Sequence, residues 1–255
     1  MSFCVIFLLF EFYSSLFKRT LMLLESYYTK SGDLVRISAQ QASTFAKQQC
    51  HDFNPIHDPD NKRFCVPGDL LFSLALTVYG VSESMSFTFT NMVGDSMGLV
   101  FPEADGDKIV ITNELGKSVL EIDKKGSTCH DPALIESLIK NYVLFSGQNF
   151  PTLLMPLMKK HNVMFNPARP LVMYNSMSFE FDSLVLNNPL HVELADSYFE
   201  VEPKRAHNFL HFNIFDGQKV IGRGVKKMIV AGLKPYEHDV ISAFSDAYEL
   251  RRSAF

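Results

Sequence analysis

The chain reads MSFTFTNMVGDSMGLVF at 85–101 and MSFEFDSLVLNNPLHVE at 177–193. Met85, Ser86, Phe87, Phe89, Val93 and Val100 of the first stretch return as Met177, Ser178, Phe179, Phe181, Val185 and Val192 of the second. The alternation of apolar and polar residues in each is that of a strand with one buried face. Each stretch is followed by a β-rich run, a turn and another β-rich run, at 108–123 and at 209–230. Gly116-Lys117 and Asp216-Gly217 supply the hairpin signals. Two matching units about 92 residues apart predict a duplicated domain.

Helices complete the unit. DLLFSLALTVYG at 69–80 is apolar nearly all round, so it is expected to be buried, with Gly80 ending it. TLLMPLMKKHN at 152–162 is read as its counterpart in the second copy, although Pro156 interrupts it. Two amphipathic helices precede these, SAQQASTFAKQQ at 38–49 behind a Ser cap and DPALIESLIKNYVLF at 131–145 with Asp131 as cap and Pro132 in the first turn. A curved antiparallel sheet around a buried helix is the hot-dog arrangement, an α+β fold. Two copies joined edge to edge, a double hot dog, would remove two sheet edges. The expected limits are 1–21 for a non-core N-terminal extension, 22–128 and 129–235 for the two repeats, and 236–255 for a C-terminal helix.

Of the 255 residues, 47% are apolar, with 23 Phe and no Trp, so a substantial core is available. The formal charge of −4 and the short basic runs argue against a nucleic-acid partner. The apolar stretch CVIFLLF at 4–10 is broken by Glu11 and is too short to span a bilayer. It also lacks the basic lead of a signal peptide. Cys4, Cys50, Cys65 and Cys129 have no metal-ligand spacing, and a disulfide framework is not expected in a chain of this size. A reducing, cytoplasmic setting follows as an expectation. A homodimer is compatible with all of this.

The chemistry concentrates in HDFNPIHD at 51–58. Asp52 and His57 flank Asn54-Pro55, which cannot be helical. Pro55 fixes its own φ and keeps Asn54 extended, while the Asn54 side chain is suited to brace the backbone. A carboxylate and an imidazole brought together over one water can exchange protons with it. A structural turn remains open as an alternative. A metal nest formed by His51, Asp52, His57, Asp58 and Asp60 is a further one, but the glycine and distal Glu of a calcium loop are missing.

With its preceding helix and the following CVPGDLL, this stretch resembles the hydratase motif of MaoC-like proteins, the (R)-specific enoyl-CoA hydratase superfamily. Asp52, Asn54, Pro55 and His57 match at the right spacing, and Phe64 and Gly68 fit the later positions. The resemblance covers about 35 residues and points to a bacterial relative. It implies that Asp52 and His57 are the catalytic pair and that Asn54 and Pro55 support them. It also implies that a backbone N–H near Gly68 takes the thioester carbonyl, and that no cofactor or metal is needed. Lys62 and Arg63 are the nearest candidates for CoA phosphates. The implied activity is hydration or dehydration of an enoyl-CoA or enoyl-ACP. A non-catalytic acyl-thioester-binding protein is the alternative, and a hot-dog thioesterase the third.

Three features depart from that pattern. The segment from His57 to Phe64 is short, Pro67 replaces a usual His, and Asp69 follows Gly68. A carboxylate at Asp69 would oppose an oxyanion if it faced the pocket. In the second repeat, Gln148 is placed opposite Asp52 and Leu153 opposite the histidine, so that half is expected to lack a base. Met155, Met158, Met164 and Phe165 are read as a wall for an acyl tail.

Overall fold

The structure is a computed structural model describing residues 24–148 and 152–255. The extension expected at 1–21 lies outside the described residues. A hairpin of β1 (Thr29–Ser31) and β2 (Leu34–Arg36) leads into α1 (Ala39–Gln48). Ser38 and Gln41 form a reciprocal capping box at the start of α1. The motif loop follows, then α2 (Gly68–Tyr79) and strands β3 (Val81–Phe89), β4 (Gly98–Val100), β5 (Lys108–Asn113) and β6 (Ser118–Cys129). The second half contains α3 (Pro132–Gly147), α4 (Leu154–Lys160), β7 (Val163–Met164), β8 (Val172–Phe181), β9 (Leu190–Val201), β10 (Arg205–Asp216) and β11 (Lys219–Ala231). β12 (Lys234–Pro235) pairs with β7, and α5 (His238–Ser253) ends the chain.

The long strands form one antiparallel sheet in the order β1-β2-β4-β5-β6-β3-β8-β11-β10-β9. From the β3/β8 seam outward, the two halves repeat one order: β3-β6-β5-β4 on one side and β8-β11-β10-β9 on the other. The seam itself pairs Met85 with Phe179, Ser86 with Ser178 and Phe87 with Met177. Residues that correspond in the repeated sequence therefore exchange partners about the Ser86–Ser178 pair. That is the register a two-fold rotation between the halves requires, and it closes an edge on each of them.

The hairpin turns fall where the sequence places them, with Gly116 and Gly217 both at positive φ. α2 is buried as expected, since only Val78 of its apolar residues is well exposed. The expected counterpart at 152–162 is not the second helix of the main core. α3, read as amphipathic, is the second helix buried in the main core, packed against α2 and β9. Its Leu134, Leu138 and Tyr142 join a core cluster with Phe212 and Ile214 of the second half. The segment at 152–162 supplies only the short α4. Its Leu154, Leu157 and Met158 pack in a separate cluster with Phe165, Phe199 and Ile241. The physical reason lies in packing order. α3 spans 16 residues, long enough to cross the sheet, whereas Pro156 and the short apolar run leave α4 about two turns. An aromatic chain ties the halves together: Phe72 of α2 lies 5.0 Å from Phe87 and 4.8 Å from Tyr142, which lies 5.4 Å from Phe212. Such contacts stabilise beyond the area they bury, by about 0.5–1.5 kcal/mol each.

Candidate functional site

The loop after α1 is fixed almost residue by residue. The Asp52 N–H reaches back to the Ala46 carbonyl at 2.9 Å, and His51 takes a left-handed φ of 52° to allow it. Asp52 Oδ1 accepts from the Asn54 N–H at 2.9 Å, and Asn54 Oδ1 accepts from the Ile56 N–H at 3.2 Å. Pro55–His57 then makes one 3-10 turn, closed by the His57 N–H on the Asn54 carbonyl. The Asn61 amide donates to the Pro55 carbonyl at 2.7 Å. From the far end of the chain, the Tyr248 hydroxyl on α5 accepts from the Phe53 N–H at 3.1 Å. Lys47 and Arg251 hold Asp58 from either side, at 2.8 and 3.6 Å.

This bracing aims two side chains at each other. His57 Nδ1 lies 2.7 Å from the Cys65 carbonyl oxygen. A carbonyl can only accept, so Nδ1 carries the proton and Nε2 presents its lone pair in the neutral ring. Nε2 faces Asp52 Oδ2 at 3.6 Å. That gap is too long for a direct hydrogen bond, but a water about 2.8 Å from each atom fits across it. The side chains are 13% and 21% exposed, sheltered without being sealed from solvent.

Both residues line a cavity of about 240 Å³. Its walls include Gly68 and Asp69 at the start of α2, Phe89 and Tyr174 from the two seam strands, Leu154, and Met228. The volume falls below the usual range of about 300–1,000 Å³ for drug-sized ligands, and it suits the reacting end of a molecule whose remainder lies outside. The first-turn N–H groups of Gly68 and Asp69 have no partner within the helix and sit at its positive end. Gly68 is required by close approach, because a Cβ there would come within 2.8 Å of the Tyr174 ring and 3.2 Å of the Phe89 ring. Gly147, at the end of α3, is required for the same reason. A Cβ would lie 2.0 Å from the Cys50 carbonyl, so only glycine lets α3 reach the motif loop.

Asp69 does face inward. It is 7% exposed, and its Oδ1 accepts from the Ser146 hydroxyl at 2.7 Å. On the other side of Ser146, Lys226 of β11 donates to the Ser146 carbonyl at 3.1 Å and to its hydroxyl oxygen. Lys226 is 4% exposed and rests over the Tyr174 ring, 4.3 Å from its centroid. Burial pushes the Asp69 carboxyl up from its ordinary range, against the opposing pull of Lys226 and the Ser146 hydroxyl. Burial pushes the Lys226 ammonium down, while Asp69, Asp52 and Cys50 act to hold it up. Each ion also meets a helix end of opposite sign, Asp69 at the start of α2 and Lys226 at the end of α3. The Tyr142 and Tyr174 hydroxyls, bonded to each other beside this group, are pushed well up by burial.

The sequence placed Asp52, Asn54, Pro55, His57 and Gly68 on one short stretch, and the fold brings Asp52, His57 and Gly68 together on one cavity wall. Lys62 and Arg63 are exposed on the same loop, outside the cavity lining. Gln148 and Leu153 sit on a shallow surface hollow with Leu194, not at a second copy of the site. Met155, Met158, Met164 and Phe165 do not line the cavity; all four belong to the α4–α5 packing. Lys226 and Ser146 were missed. Lys226 stands beside Lys227 and reads as half of a solvated pair, and its strand alternation with Met228 and Val230 was the only signal that it faces inward. Among the described residues, no group of three His, Cys, Asp or Glu is placed to hold a metal ion. None of the described helices is long and apolar enough to cross a membrane.

No curated protein matches the chain. The chain is similar, at low identity, to several solved structures. An acyl-CoA thioesterase II, TesB2, from Mycobacterium marinum is 12% identical, with 84% of this chain and 99% of that one covered and a TM-score of 0.41. A conserved protein of unknown function with hot dog fold from Alicyclobacillus acidocaldarius is 6% identical, with 84% and 99% covered and a TM-score of 0.44. The full-length peroxisomal multifunctional enzyme type 2 from Drosophila melanogaster is 10% identical, with 79% of this chain and 48% of that one covered and a TM-score of 0.42. At family level the match is extensive: residues 22–239 fit the family described as Protein of unknown function (DUF3581), and the chain belongs to that family.

Proposed function

We propose that this is a double hot-dog enzyme that adds water to, or removes it from, the double bond of an enoyl thioester carried on CoA or acyl carrier protein. The observation that carries the reading is the opposition of Asp52 Oδ2 and His57 Nε2 across a 3.6 Å gap on the cavity wall. A water held there donates one O–H to the Asp52 carboxylate and the other to the His57 Nε2 lone pair, and its oxygen is left free to attack. The mirrored strand order about the β3/β8 seam supports the duplicated fold. In hydration the water oxygen bonds to C3 and its proton passes to the dyad. The π pair moves to the thioester oxygen, and the dyad then returns a proton to C2. Lys62 and Arg63, exposed beside the cavity loop, are suited to the carrier's phosphates.

One observation favours a second reading, hydrolysis of the thioester: a buried serine, Ser146, lies on the cavity between a lysine and a carboxylate. A single assay separates the readings. With crotonyl-CoA and a longer enoyl-CoA, hydration removes the ultraviolet absorbance of the conjugated thioester without releasing thiol, whereas hydrolysis releases thiol. Binding alone raises the unfolding temperature with neither change. Asp52→Asn should lower turnover by about 10²–10⁴-fold while keeping the Oδ1 acceptor for Asn54. Full activity in that variant would exclude the dyad.

A further inference from the structure

We infer that Lys226 is a further catalytic residue, an electrophile from the second half that meets the thioester carbonyl oxygen as negative charge develops there. The inference rests on the thioester reading of the cavity, and it starts from an electrostatic difficulty in that reading. As the water oxygen adds to C3, the π pair collects on the carbonyl oxygen, which must lie against a positive field. The start of α2 offers N–H groups and a helix dipole, but it also brings the Asp69 carboxylate into the cavity. Asp52 adds a second carboxylate on the same wall. A buried Asp69 carboxylate and a half-buried Asp52 would together oppose the oxyanion more than a helix end of about half a unit charge favours it.

Lys226 is the lysine or arginine that lines this cavity among the described residues. Two of its N–H groups are engaged by the Ser146 carbonyl and hydroxyl, and its ammonium rests on the Tyr174 face. Tyr174 in turn closes over Gly68, within 2.8 Å of where a Cβ would stand. The cation is thus carried to the mouth of α2 by the same ring that covers it. Ser146 hands the Lys226 charge to Asp69, so the carboxylate at the helix start is neutralised and the N–H groups are free to act. The same chain holds the ammonium rigid, so that little reorganisation is needed when the oxyanion forms. The second half then supplies charge to the first.

The test reads the carbonyl directly as well as the rate. Crotonyl-CoA labelled with ¹³C at the carbonyl is bound to Asp52→Asn, which holds it without rapid turnover, and its infrared stretch is compared with that of the free thioester. Because Lys226→Met alone leaves Asp69 unpaired, the comparison variant adds Lys226→Met and Asp69→Asn together, with thermal unfolding used to verify folding. The bound stretch should fall to lower frequency in Asp52→Asn and return to the free value in the triple variant. On an otherwise native chain, the Lys226→Met/Asp69→Asn pair should cut kcat by about 10²–10³ while KM changes little. A stretch that is unchanged between the two backgrounds overturns the inference and leaves the dyad reading intact. A lowered stretch that depends on Lys226, in a protein with no hydratase turnover, upholds the inference and removes the hydration chemistry. Failure of every form to bind crotonyl-CoA overturns both.

Discussion

Asp69 and Lys226 can be tested as an ion pair without any substrate. Both are buried and both touch Ser146. Removing one partner of such a pair leaves an uncompensated charge and costs about 3–5 kcal/mol. The two single variants should share that loss near neutral pH and differ in how it changes with pH. In Lys226→Met, Asp69 loses the cation that draws its pKa down, so a carboxyl already raised by burial rises further. The folded state then binds a proton that the unfolded chain, with a pKa of about 3.9, releases. Stability contributed this way is fully present below the unfolded value and is lost as pH rises through the folded one. The deficit of Lys226→Met should therefore shrink as the solution is acidified.

Asp69→Asn runs the other way. Lys226 keeps Asp52 as a neighbouring charge but loses Asp69, and burial lowers its pKa further. The unfolded chain then binds a proton that the folded one does not, up to about pH 10.4. Stability rises as pH rises through that window, and the deficit shrinks toward alkaline pH. Each limb has a limiting slope of about 1.4 kcal/mol per pH unit. His57 also draws the Asp69 pKa down, so His57→Gln serves as a control whose own profile is subtracted. Urea unfolding from pH 5 to 9 (roughly the span in which a fold keeps its acid and base margins) gives the curves. Two parallel profiles, or losses below about 1 kcal/mol in both variants, would refute a buried ion pair and with it the charge argument for the cavity.

Other outcomes follow from single contacts. Gly68→Ala puts a methyl against the Tyr174 and Phe89 rings, and it should cost about 1–3 kcal/mol together with most ligand-induced stabilisation by crotonyl-CoA, read by thermal shift. Tyr248→Phe leaves the Phe53 N–H without its acceptor, so a loss of about 1–3 kcal/mol is expected, with lower turnover because the motif loop is held from α5. At pH 8, mass-resolved alkylation should leave Cys50 unmodified and Cys65 slow. Burial pushes the Cys50 thiol well up and the Cys65 thiol to about 11, leaving little thiolate at either. Rapid labelling of Cys50 in the folded protein would contradict the packing of Gly147 against its carbonyl.

What the sequence shows and what it hides divide along a physical line. The motif loop is legible because its determinants are local: an aspartate two residues before an asparagine, a proline after it and a histidine two further on make their bonds within ten residues. The matching strand stretches are legible because alternation is a pattern of period two that a sequence displays directly, as around Phe87 and Phe179. The second central helix is not legible in this way. Composition ranks TLLMPLM as apolar as α3, and only the reach of a 16-residue helix across the sheet decides which of the two the strands enclose. Lys226 is hidden for a stronger reason. Its meaning depends on Ser146, 80 residues earlier, and on Asp69, 77 earlier again.

That separation is itself informative about how such a site is maintained. A carboxylate at the start of α2 is unfavourable to an oxyanion when the first half is considered alone, and a buried lysine in β11 is unfavourable when the second half is considered alone. Each is tolerable only because α3 ends at Gly147, close enough to the Cys50 carbonyl to place Ser146 between them. A change at either charge is then felt at the contact between the halves. If the pair were only a strut, a matched apolar replacement of Asp69 and Lys226 would be neutral or stabilising, as replacements of buried ion pairs often are, and the proposed activity would be kept. If the pair shapes the field at the carbonyl, the same replacement stabilises the fold and silences the reaction. Stability and turnover moving in opposite directions under one double substitution is an outcome that packing alone does not produce.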